Sequence, residues 1–577
     1  MTYLACIPCI GHPPAVVPGA GADGRRWCGR GWSEQEMVWK GWSEREMEFT
    51  EYTDRLYKYL QVVEGRLFSE GLHVLGSQPS SSQLEQYLGA YFGDDLGSVA
   101  VEAVANTRGG LDQVHGKLRG SSAEDPGGAG VAESRLAEAV EIRDLLLRNT
   151  EELESAVKAL NGEFVLPAAG GDLLRDGPGV LPTGRNIHAL DPYRMPSPAA
   201  MQRGSVIAEN LLTRHQEAHD GALPETVAVA LWGLDAIKTK GESVGIALTL
   251  IGARPVKEST GRIVRYELIP LEELGRPRVD VLCNMSGIFR DSFVNVVELL
   301  DDAFRRAAEA DEPEEMNFVR KHAVAMAAEG LENSSARLFS NPAGDYGSMV
   351  NERVGAGNWD AGEELGSTWA SRNSFSYGRG GEKGTARPEV LQKLLGTTEH
   401  IVQEIDSVEY GLTDIQEYYA NTGALQRAAS SAQGGKKVAA SVVETFGKAA
   451  ESKDLEAVLR LEYRSKLLNP KWAEAMAKQG SGGAFEISQR MTALVGWGAT
   501  SDFTEDWVYD GAYETYVDDA AMREKLRKAN PQAFQNVLKR MLEAAGRGMW
   551  NADEATLEKL KQEYMEMDDV LEGVRKA

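Results

Sequence analysis

The sequence has few cysteines and lacks any long apolar run. Its 4 cysteines are too few among 577 residues for a disulfide framework, and this scarcity indicates a reducing compartment. No stretch reaches about 18 consecutive apolar residues, the length that an ordinary transmembrane helix requires. The first residues also lack the basic segment and apolar run of a secretory signal. We therefore expect no transmembrane segment and no disulfide-rich fold.

Phosphate-binding features are also missing. The chain contains no G-x-x-x-x-G-K-[ST] motif, so it has no P-loop of its own for ATP. Lys and Arg together number 62 against 87 Asp and Glu, which leaves a net charge of −25. A surface this acidic repels phosphate backbones and anionic lipid. Nucleic acid is therefore not an expected partner.

Composition divides the chain into four regions. Residues 1–50 are rich in Gly, Pro and Cys without a regular apolar period, which predicts a poorly ordered leader. Residues 51–165 show helical spacing of apolar residues, and Asn149 with Glu152 has the spacing of a capping box that divides the pattern at 133–160 into two helices. Residues 166–312 begin with loops and continue as an α/β pattern, and residues 313–577 are mostly helical in pattern. We therefore expect a multi-domain α/β plus α protein.

The α/β pattern lies in the middle of the chain. "TVAVALW" at 226–232 and "VDVLCNMSG" at 279–287 are short apolar runs typical of buried strands, and "RIVRYELIPL" alternates as a strand does. Residues 236–252 are predicted to form one helix that ends at Gly252. Strands and helices joined by short connections favour a Rossmann-like layer with a parallel or mixed sheet. Ligands of such sheets bind beyond the carboxyl ends of the strands, where Trp232-Gly233 and Ser286-Gly287 are expected.

The loop "PTGRNIHALDP" at 182–192 carries several chemically useful side chains. It is too broken by Pro and Gly for a helix, and such loops often carry function. His188 and Asp191 can move protons or bind a metal, and Arg185 can hold a carboxylate. The alternative is a turn whose polar groups satisfy one another. Local sequence supports both interpretations equally.

Other polar clusters are compatible with purely structural roles. Arg290 and Asp291 lie at a predicted strand-to-helix turn, where a salt-bridged helix cap is the plainer interpretation. Glu242 belongs to "WGLDAIKTKGES", a segment that is also typical of an exposed amphipathic helix. The segment "EHIVQEIDSVEYGLTD" at 399–414 contains five carboxylates, most of which are expected on the surface.

Several segments together resemble one protein family. The similarity runs from about residue 51 to the end, and it is to the large H subunit of magnesium chelatase and the related large subunit of cobaltochelatase. The segments that carry it are "LYKYLQVVEGRLFSEGLHVLG", "LPTGRNIHALDPYRMP", "ETVAVALWGLDAIKTKGES", "LEELGRPRVDVLCNMSGIFRDSF", "DEPEEMNFVRKHA", "LLNPKWAEAMAKQGSGG" and "AAGRGMW".

The resemblance implies a function and partners. Family H subunits bind protoporphyrin IX and, with the ATPase-type subunits I and D, insert Mg²⁺ as a substrate during chlorophyll biosynthesis. ATP would be hydrolysed by those partners. The matching part corresponds to the C-terminal half of such subunits, so the chain is expected to be a fragment, a mis-started gene model or a short paralogue. The family works in the chloroplast stroma, or alternatively in the bacterial cytoplasm.

The chemistry of metal insertion assigns candidate roles within this resemblance. Mg²⁺ prefers oxygen ligands, the pyrrole N–H protons need a base, and the propionates of the porphyrin need cationic or polar partners. The predicted residues are His188 and Asp191 for catalysis; Asp191, Glu242 and Asp291 for the metal; and Arg185, Asn186, Trp232, Phe289 and Arg290 for the porphyrin, with Phe293 as a further apolar wall. The alternatives are a cobaltochelatase-like subunit that acts on a corrin precursor and a truncated regulatory paralogue that binds tetrapyrrole without catalysis.

Overall fold

The computed structural model describes residues 74–121 and 133–574, apart from 172, 408–409, 447–449 and 451, together with the isolated positions 56, 57, 59, 60 and 62. The expected leader at residues 1–50 lies outside the described residues.

A small helical unit comes first. Its helices are α1 (Ser81–Phe92), α2 (Ser98–Ala105), α3 (Leu111–Ser121), α4 (Glu133–Leu147) and α5 (Glu151–Leu160). Leu84, Leu88, Val104 and Ile142 are fully buried in a separate hydrophobic cluster, because each helix presents apolar residues at a spacing of three or four to its neighbours.

The break between α4 and α5 confirms the sequence prediction, but its cause differs. We expected Asn149 and Glu152 to form a capping box. Instead the Asn149 Oδ1 atom accepts the Thr183 backbone N–H, and the Glu152 carboxylate accepts the Gly76 N–H at 2.8 Å. The two side chains therefore connect the first turn of α5, and the turn directly before it, to segments that are distant in sequence.

The centre of the molecule is an eight-stranded mixed sheet. Its strand order is β12-β11-β10-β3-β6-β7-β8-β9, with β11, β10, β3, β6 and β7 parallel to one another and the remaining strands antiparallel to their neighbours. The strands are β3 (Thr226–Leu231), β6 (Asp280–Met285), β7 (Leu338–Ser340), β8 (Phe375–Tyr377), β9 (Lys383–Ala386), β10 (Thr398–Ile405), β11 (Ala439–Glu444) and β12 (Ser452–Asp454). Two small sheets pair β1 (Ala168–Ala169) with β2 (Asn186–Ile187), and β4 (Ala253–Lys257) with β5 (Ile263–Leu268).

Helices cover both faces of the sheet. The helices before residue 330 are α6 (Leu173–Asp176), α7 (Pro198–Ala218), α8 (Gly233–Thr239), α9 (Glu242–Ile251), α10 (Leu271–Leu274), α11 (Gly287–Ser292), α12 (Val294–Glu309) and α13 (Phe318–Ala328). The later ones are α14 (Val350–Ala356), α15 (Gly362–Arg372), α16 (Pro388–Thr397), α17 (Gln416–Tyr418), α18 (Ala424–Ala432), α19 (Leu455–Ser465), α20 (Pro470–Lys478), α21 (Ser481–Ser501), α22 (Asp506–Tyr513), α23 (Ala520–Ala529), α24 (Pro531–Gly546) and α25 (Glu554–Leu571).

Alternate residues of β3 point into the two hydrophobic clusters that lie on opposite faces of the sheet. Val227, Val229 and Leu231 belong to the cluster formed with α7, α9 and α12, whereas Ala228 joins the larger cluster of the later helices. Because both faces are covered, the strand is apolar throughout, as its sequence predicted.

The sheet extends well beyond the region in which it was expected. Six of its eight strands follow residue 312, where the sequence pattern becomes mostly helical. The alternating segment "RIVRYELIPL" does form a strand, β5, but it pairs only with β4 in a hairpin outside the main sheet. The predicted helix at 236–252 is broken at Lys240 and Gly241, which have φ angles of +60° and +93°. Its end at Gly252 agrees with the prediction.

Within the described part of the chain, no helix is long and apolar enough to cross a membrane.

Candidate functional site

The order of the parallel strands reverses between β3 and β10. From β3 the chain proceeds to β6 on one side, whereas β10 and β11 lie on the other side. Sheets of this kind bind ligands in the crevice outside the carboxyl ends of the strands at such a reversal. Trp232 follows β3 at this point, and Glu404 and Asp406 lie at the end of β10. Ser286 follows β6 at the same edge, and its hydroxyl accepts the Gly233 N–H at 3.0 Å.

An aromatic pair closes one side of the crevice. The rings of Trp232 and Tyr418 are stacked, with centroids 4.7 Å apart and an interplanar angle of 15°. Tyr418 lies directly before a π-helical turn, Tyr419–Gly423. The Thr422 hydroxyl donates a 2.6 Å hydrogen bond to Gln403 on β10, which fastens this turn to the sheet. Such π-turns are frequent at functional sites.

Three buried carboxylates gather under this edge. Glu404, Asp235 and Glu242 are 1 %, 3 % and 3 % exposed. The Arg203 guanidinium donates to Glu242 at 2.8 Å. The Glu404 carboxylate forms no salt bridge among the described residues, and the Ser243 hydroxyl and the charge of Arg203 offset its burial only in part. Burial, reinforced by the charges of Glu242 and Asp235, raises the pKa of Glu404 well above its ordinary value.

Basic side chains compensate the neighbouring acids of this segment. Lys238 on α8 pairs with Asp406. Farther along, the buried Asp414 is paired with Lys466 and Arg490. Burial opposes the ionisation of Asp414, but these two cations hold its pKa below the ordinary value. The segment that follows β10 is therefore fixed by buried ion pairs, whereas Glu404 is offset only in part, by the Arg203 guanidinium that is bonded to Glu242.

The polar groups of the predicted loop at 182–192 are largely used locally. The Asn186 side-chain amide donates to the carbonyls of Ala169 and Val180 at 2.8 and 2.7 Å. Arg185 donates to the Leu166 carbonyl at 3.4 Å, and the His188 side chain is exposed. For Arg185 and Asn186, this favours the plainer of the two sequence interpretations.

The end of the same loop adjoins the carboxyl edge of the sheet. The Asp191 carboxylate accepts the Tyr193 N–H at 3.0 Å and lies 3.4 Å from the Arg194 guanidinium. The Pro192 carbonyl accepts a 2.9 Å hydrogen bond from the Asn295 side chain, at the start of α12. The structure therefore brings the end of this loop close to the turn that carries Asp291.

Arg290 and Asp291 form the salt-bridged turn that was the plainer alternative. The Arg290 guanidinium donates two hydrogen bonds to the Asp291 carboxylate, at 2.7 and 2.9 Å, and others to the carbonyls of Asn341 and Pro342. Hydrogen bonding to Arg290 lowers the pKa of Asp291. As arranged here, the Arg290 donors are directed into the protein, and Asp291 already has a cationic partner.

The apolar walls differ from the prediction. Phe289 is fully buried, and its ring centroid lies 5.2 Å from that of Phe293, which is 3 % exposed. Both rings belong to the core, because α11 directs them beneath the sheet edge, and in this structure neither can face a bound molecule. The exposed apolar residue of this turn is the preceding one, Ile288, at 42 %. Trp232 remains at the edge, where it is partly exposed.

The described residues contain no group of three or more His, Cys, Asp or Glu side chains arranged to hold a metal ion. The metal roles of Asp191, Glu242 and Asp291, and the catalytic roles of His188 and Asp191, therefore stay predictions.

Glu404 was the residue that sequence reasoning passed over. Most of the five carboxylates of 399–414 were expected on the surface and none was singled out, whereas Glu404 belongs to the buried strand β10. The available signal was its position within "IVQEI", a short segment that begins and ends with the β-branched apolar residues typical of a strand.

Comparisons with known proteins agree with this architecture. The family model described as CobN/Magnesium Chelatase matches residues 32–557. The chain is 46 % identical to the magnesium-chelatase H subunit of Chlorobaculum parvum over 429 residues, which cover 74 % of this chain and 34 % of that protein. It is 36 % identical to the chloroplastic magnesium-chelatase ChlH subunit of Oryza sativa subsp. japonica, over 90 % of this chain and 42 % of that protein.

A solved structure shares the fold. It is the catalytic subunit of cobaltochelatase from Mycobacterium tuberculosis, with a TM-score of 0.78 and 28 % identity, covering 91 % of this chain and 47 % of that one. The chain thus spans less than half the length of these relatives. The family match covers most of the chain, and the sheet with its surrounding helices is similar to that of the cobaltochelatase subunit. The chain therefore belongs to the CobN/magnesium chelatase family.

Proposed function

We propose that this chain is the tetrapyrrole-binding part of an ATP-dependent magnesium chelatase, which inserts Mg²⁺ into protoporphyrin IX in chlorophyll biosynthesis. The observation that carries the proposal is the buried carboxylate of Glu404 at the reversal of strand order, beside Asp235 and Glu242 and without a salt-bridge partner among the described residues. A buried carboxylate without a partner costs stability, and such groups cluster at functional sites. The sequence similarity to magnesium-chelatase H subunits supports the choice of Mg²⁺ and protoporphyrin IX as substrates.

The acidic edge suits the chemistry of insertion. Mg²⁺ binds oxygen and gives up its water reluctantly, so carboxylates beside an apolar cleft favour its transfer from water to the macrocycle. The reaction also releases two pyrrole protons for each metal ion inserted. His188 is exposed on a loop whose end adjoins this edge, and a neutral imidazole has a ring nitrogen that can accept a proton. We assign His188 the role of proton acceptor. Asp191, three residues later on the same loop, is the second catalytic residue of this proposal.

The energy source lies in other subunits under this proposal. The sequence has no P-loop, so ATP hydrolysis is assigned to the I and D subunits, which act with this chain. The rice relative is named as chloroplastic, and the chloroplast stroma is the compartment proposed here, with the bacterial cytoplasm as the alternative.

Reconstitution tests the proposal. The 577-residue chain is mixed with I and D subunits, ATP, Mg²⁺ and protoporphyrin IX, and Mg-protoporphyrin is followed by its fluorescence. We expect Glu404→Gln and His188→Ala to lower turnover at least tenfold while the melting temperature shows a folded chain. Glu558→Gln, at a surface position of α25, is the matched control. Porphyrin binding without product formation by the unaltered chain would indicate the non-catalytic paralogue instead.

The second candidate is a cobalt-inserting subunit that acts on a corrin precursor. It is favoured by the likeness to the cobaltochelatase subunit, at a TM-score of 0.78. Titration of the purified chain with protoporphyrin IX and, separately, with a metal-free corrinoid distinguishes the two. Tighter binding of the corrinoid would overturn the magnesium assignment.

A further inference from the structure

Three exposed apolar side chains follow three adjacent parallel strands. Leu234 comes after β3, Ile288 after β6 and Tyr346 after β7, and they are 50 %, 42 % and 61 % exposed. All three strands end at the carboxyl edge of the sheet, where the acidic cluster also lies. Exposed apolar residues are ordinary when scattered, but adjacent ones at a binding edge indicate a contact surface.

Two glycines allow these side chains to form a continuous row. A Cβ atom at Gly233 would lie 2.4 Å from Ile288 Cγ2, so Ile288 covers the backbone of the first turn. A Cβ atom at Gly287 would lie 2.5 Å from Tyr346 Cδ1, so the tyrosine covers the second turn. Ile288 and Tyr346 therefore each overlie the glycine of the neighbouring turn. Together with Leu234, which follows Gly233, they form an apolar surface along this edge.

Tyr346 is exposed yet held in position. Its hydroxyl donates a 2.8 Å hydrogen bond to Asp291, and the Arg290 guanidinium lies 5.5 Å from its ring centroid. Arg290 is itself fixed by the Asn341 and Pro342 carbonyls. A tyrosine that is largely exposed but anchored at its hydroxyl has lost much of its conformational entropy before any ligand arrives, which favours binding.

We propose that Leu234, Ile288 and Tyr346 form an apolar platform against which the flat face of the tetrapyrrole lies, and that the Arg290–Asp291 pair positions Tyr346. This inference rests on the proposed function. A planar macrocycle is the occupant we assign because the platform is continuous with the acidic cluster: Leu234 is exposed and the next residue, Asp235, is buried beneath it among the carboxylates. The Arg290 and Asp291 side chains thereby act on the porphyrin through Tyr346.

Direct binding tests the platform without requiring turnover. Protoporphyrin IX is titrated into the 577-residue chain, and the quenching of tryptophan fluorescence gives Kd. We expect Tyr346→Ala to weaken binding about tenfold, the equivalent of about 1.4 kcal/mol. Tyr346→Phe keeps the ring and loses the bond to Asp291, so its loss of affinity should be smaller and should match that of Asp291→Ala, which removes the acceptor.

Two further variants distinguish the loss of the Tyr346 contact with the porphyrin from a general loss of folded structure. Gly287→Ala retains Tyr346 but displaces its ring, and it should weaken binding while the melting temperature confirms a folded chain. Phe485→Ala removes an aromatic side chain that is 51 % exposed on α21, and it should leave Kd unchanged.

The failures of the two proposals are distinguishable. If the unaltered chain binds neither protoporphyrin IX nor the corrinoid, the proposed function fails. If it binds porphyrin and Tyr346→Ala binds equally well, the platform is overturned and the proposed function stands. A Tyr346→Ala variant that loses only its affinity for the partner ATPase subunits would likewise overturn the platform, because the surface would then serve a protein.

Discussion

Trp232 and Tyr418 stack at 4.7 Å, and their contact joins the end of β3 to the helical turn that follows β10. These residues are 186 positions apart in the sequence, and they meet because β3 and β10 are adjacent in the sheet. The stack therefore holds together the two strands between which the strand order reverses.

The first prediction concerns this stack. A double-mutant cycle of Trp232→Leu and Tyr418→Leu should give a coupling energy of about 0.5–1.5 kcal/mol, because stacked rings contribute beyond the apolar area they bury. Urea unfolding followed by circular dichroism supplies the free energies. Trp232→Leu combined with Phe485→Leu should be additive within about 0.5 kcal/mol. Additivity in both cycles would show that the stack contributes nothing specific.

The second prediction concerns the pH dependence that Glu404 causes. Its pKa is raised in the folded chain by burial and by Glu242 and Asp235, so the folded state binds more protons than the unfolded state above the ordinary pKa of about 4.3. Stability from this group is therefore lost as pH rises above that value towards the raised pKa.

Glu404→Gln should remove this contribution. The free energy of unfolding of the variant, relative to that of the unaltered chain, should rise between about pH 5 and pH 8 by up to about 1.36 kcal/mol per pH unit, and the melting temperature should rise with it. Glu558→Gln should track the unaltered chain throughout. An equal pH slope in Glu404→Gln and the unaltered chain would mean that Glu404 is charged and compensated.

A third prediction concerns His322, at the opposite edge of the sheet. Its ring nitrogens lie 2.8 Å from Asp280 and 3.0 Å from Glu225, and Arg337 also contacts Asp280. Burial opposes protonation, but Asp280 and then Glu225 raise the pKa of His322 above its ordinary value. Its stabilising contribution is therefore complete below about pH 6.5 and lost as pH rises through the raised pKa.

His322→Gln should therefore destabilise the chain more at about pH 6 than at about pH 9. Differential scanning calorimetry at the two pH values measures the difference, and His188→Gln, at an exposed position, serves as the control. A loss of equal size at both pH values would assign the effect to packing alone.

The fourth prediction concerns Gly204 on α7. A Cβ atom there would lie 2.7 Å from the Ile246 backbone nitrogen and 2.8 Å from the Glu242 carbonyl oxygen. Backbone atoms cannot rotate away, so Gly204→Ala should force α7 from α9 and destabilise the chain by about 1–3 kcal/mol. It should also disturb the adjacent Arg203–Glu242 pair. Gly89→Ala on α1, with nothing within 4 Å of the new Cβ, is the matched control in thermal unfolding. Equal melting temperatures for the two variants would contradict the close helix contact.

Local chemistry made several parts of the fold predictable. The apolar, β-branched "TVAVAL" run forms a buried strand, and Gly252 ends a helix in the left-handed conformation that favours glycine. The break after Leu147 was also predicted. Its supposed cap was wrong, because the Glu152 carboxylate reaches Gly76 and Thr183 instead of its own helix end. Which distant segments would approach is not encoded in the local pattern.

The candidate site was likewise predictable in part from local sequence and decided in part by contacts between distant segments. Trp232 was expected at the sheet edge from the general rule for parallel strands, and it lies there. Phe289 was chosen as a wall on residue type, but Ile288 is the exposed residue, since helix rotation decides which of two adjacent side chains faces solvent. Glu404 resembled a surface acid until β10 was placed in the middle of the sheet.

The sequence by itself determined the family, through its matching segments, and the buried strands at 226–231 and 280–285 with the residue types at their ends, because those depend on short-range pattern. Tertiary structure alone decided which carboxylates are buried together, that Arg290 and Asp291 support Tyr346, and that β3 lies beside β10. Burial and charge proximity depend on contacts between segments far apart in the chain, and local periodicity carries no information about those contacts.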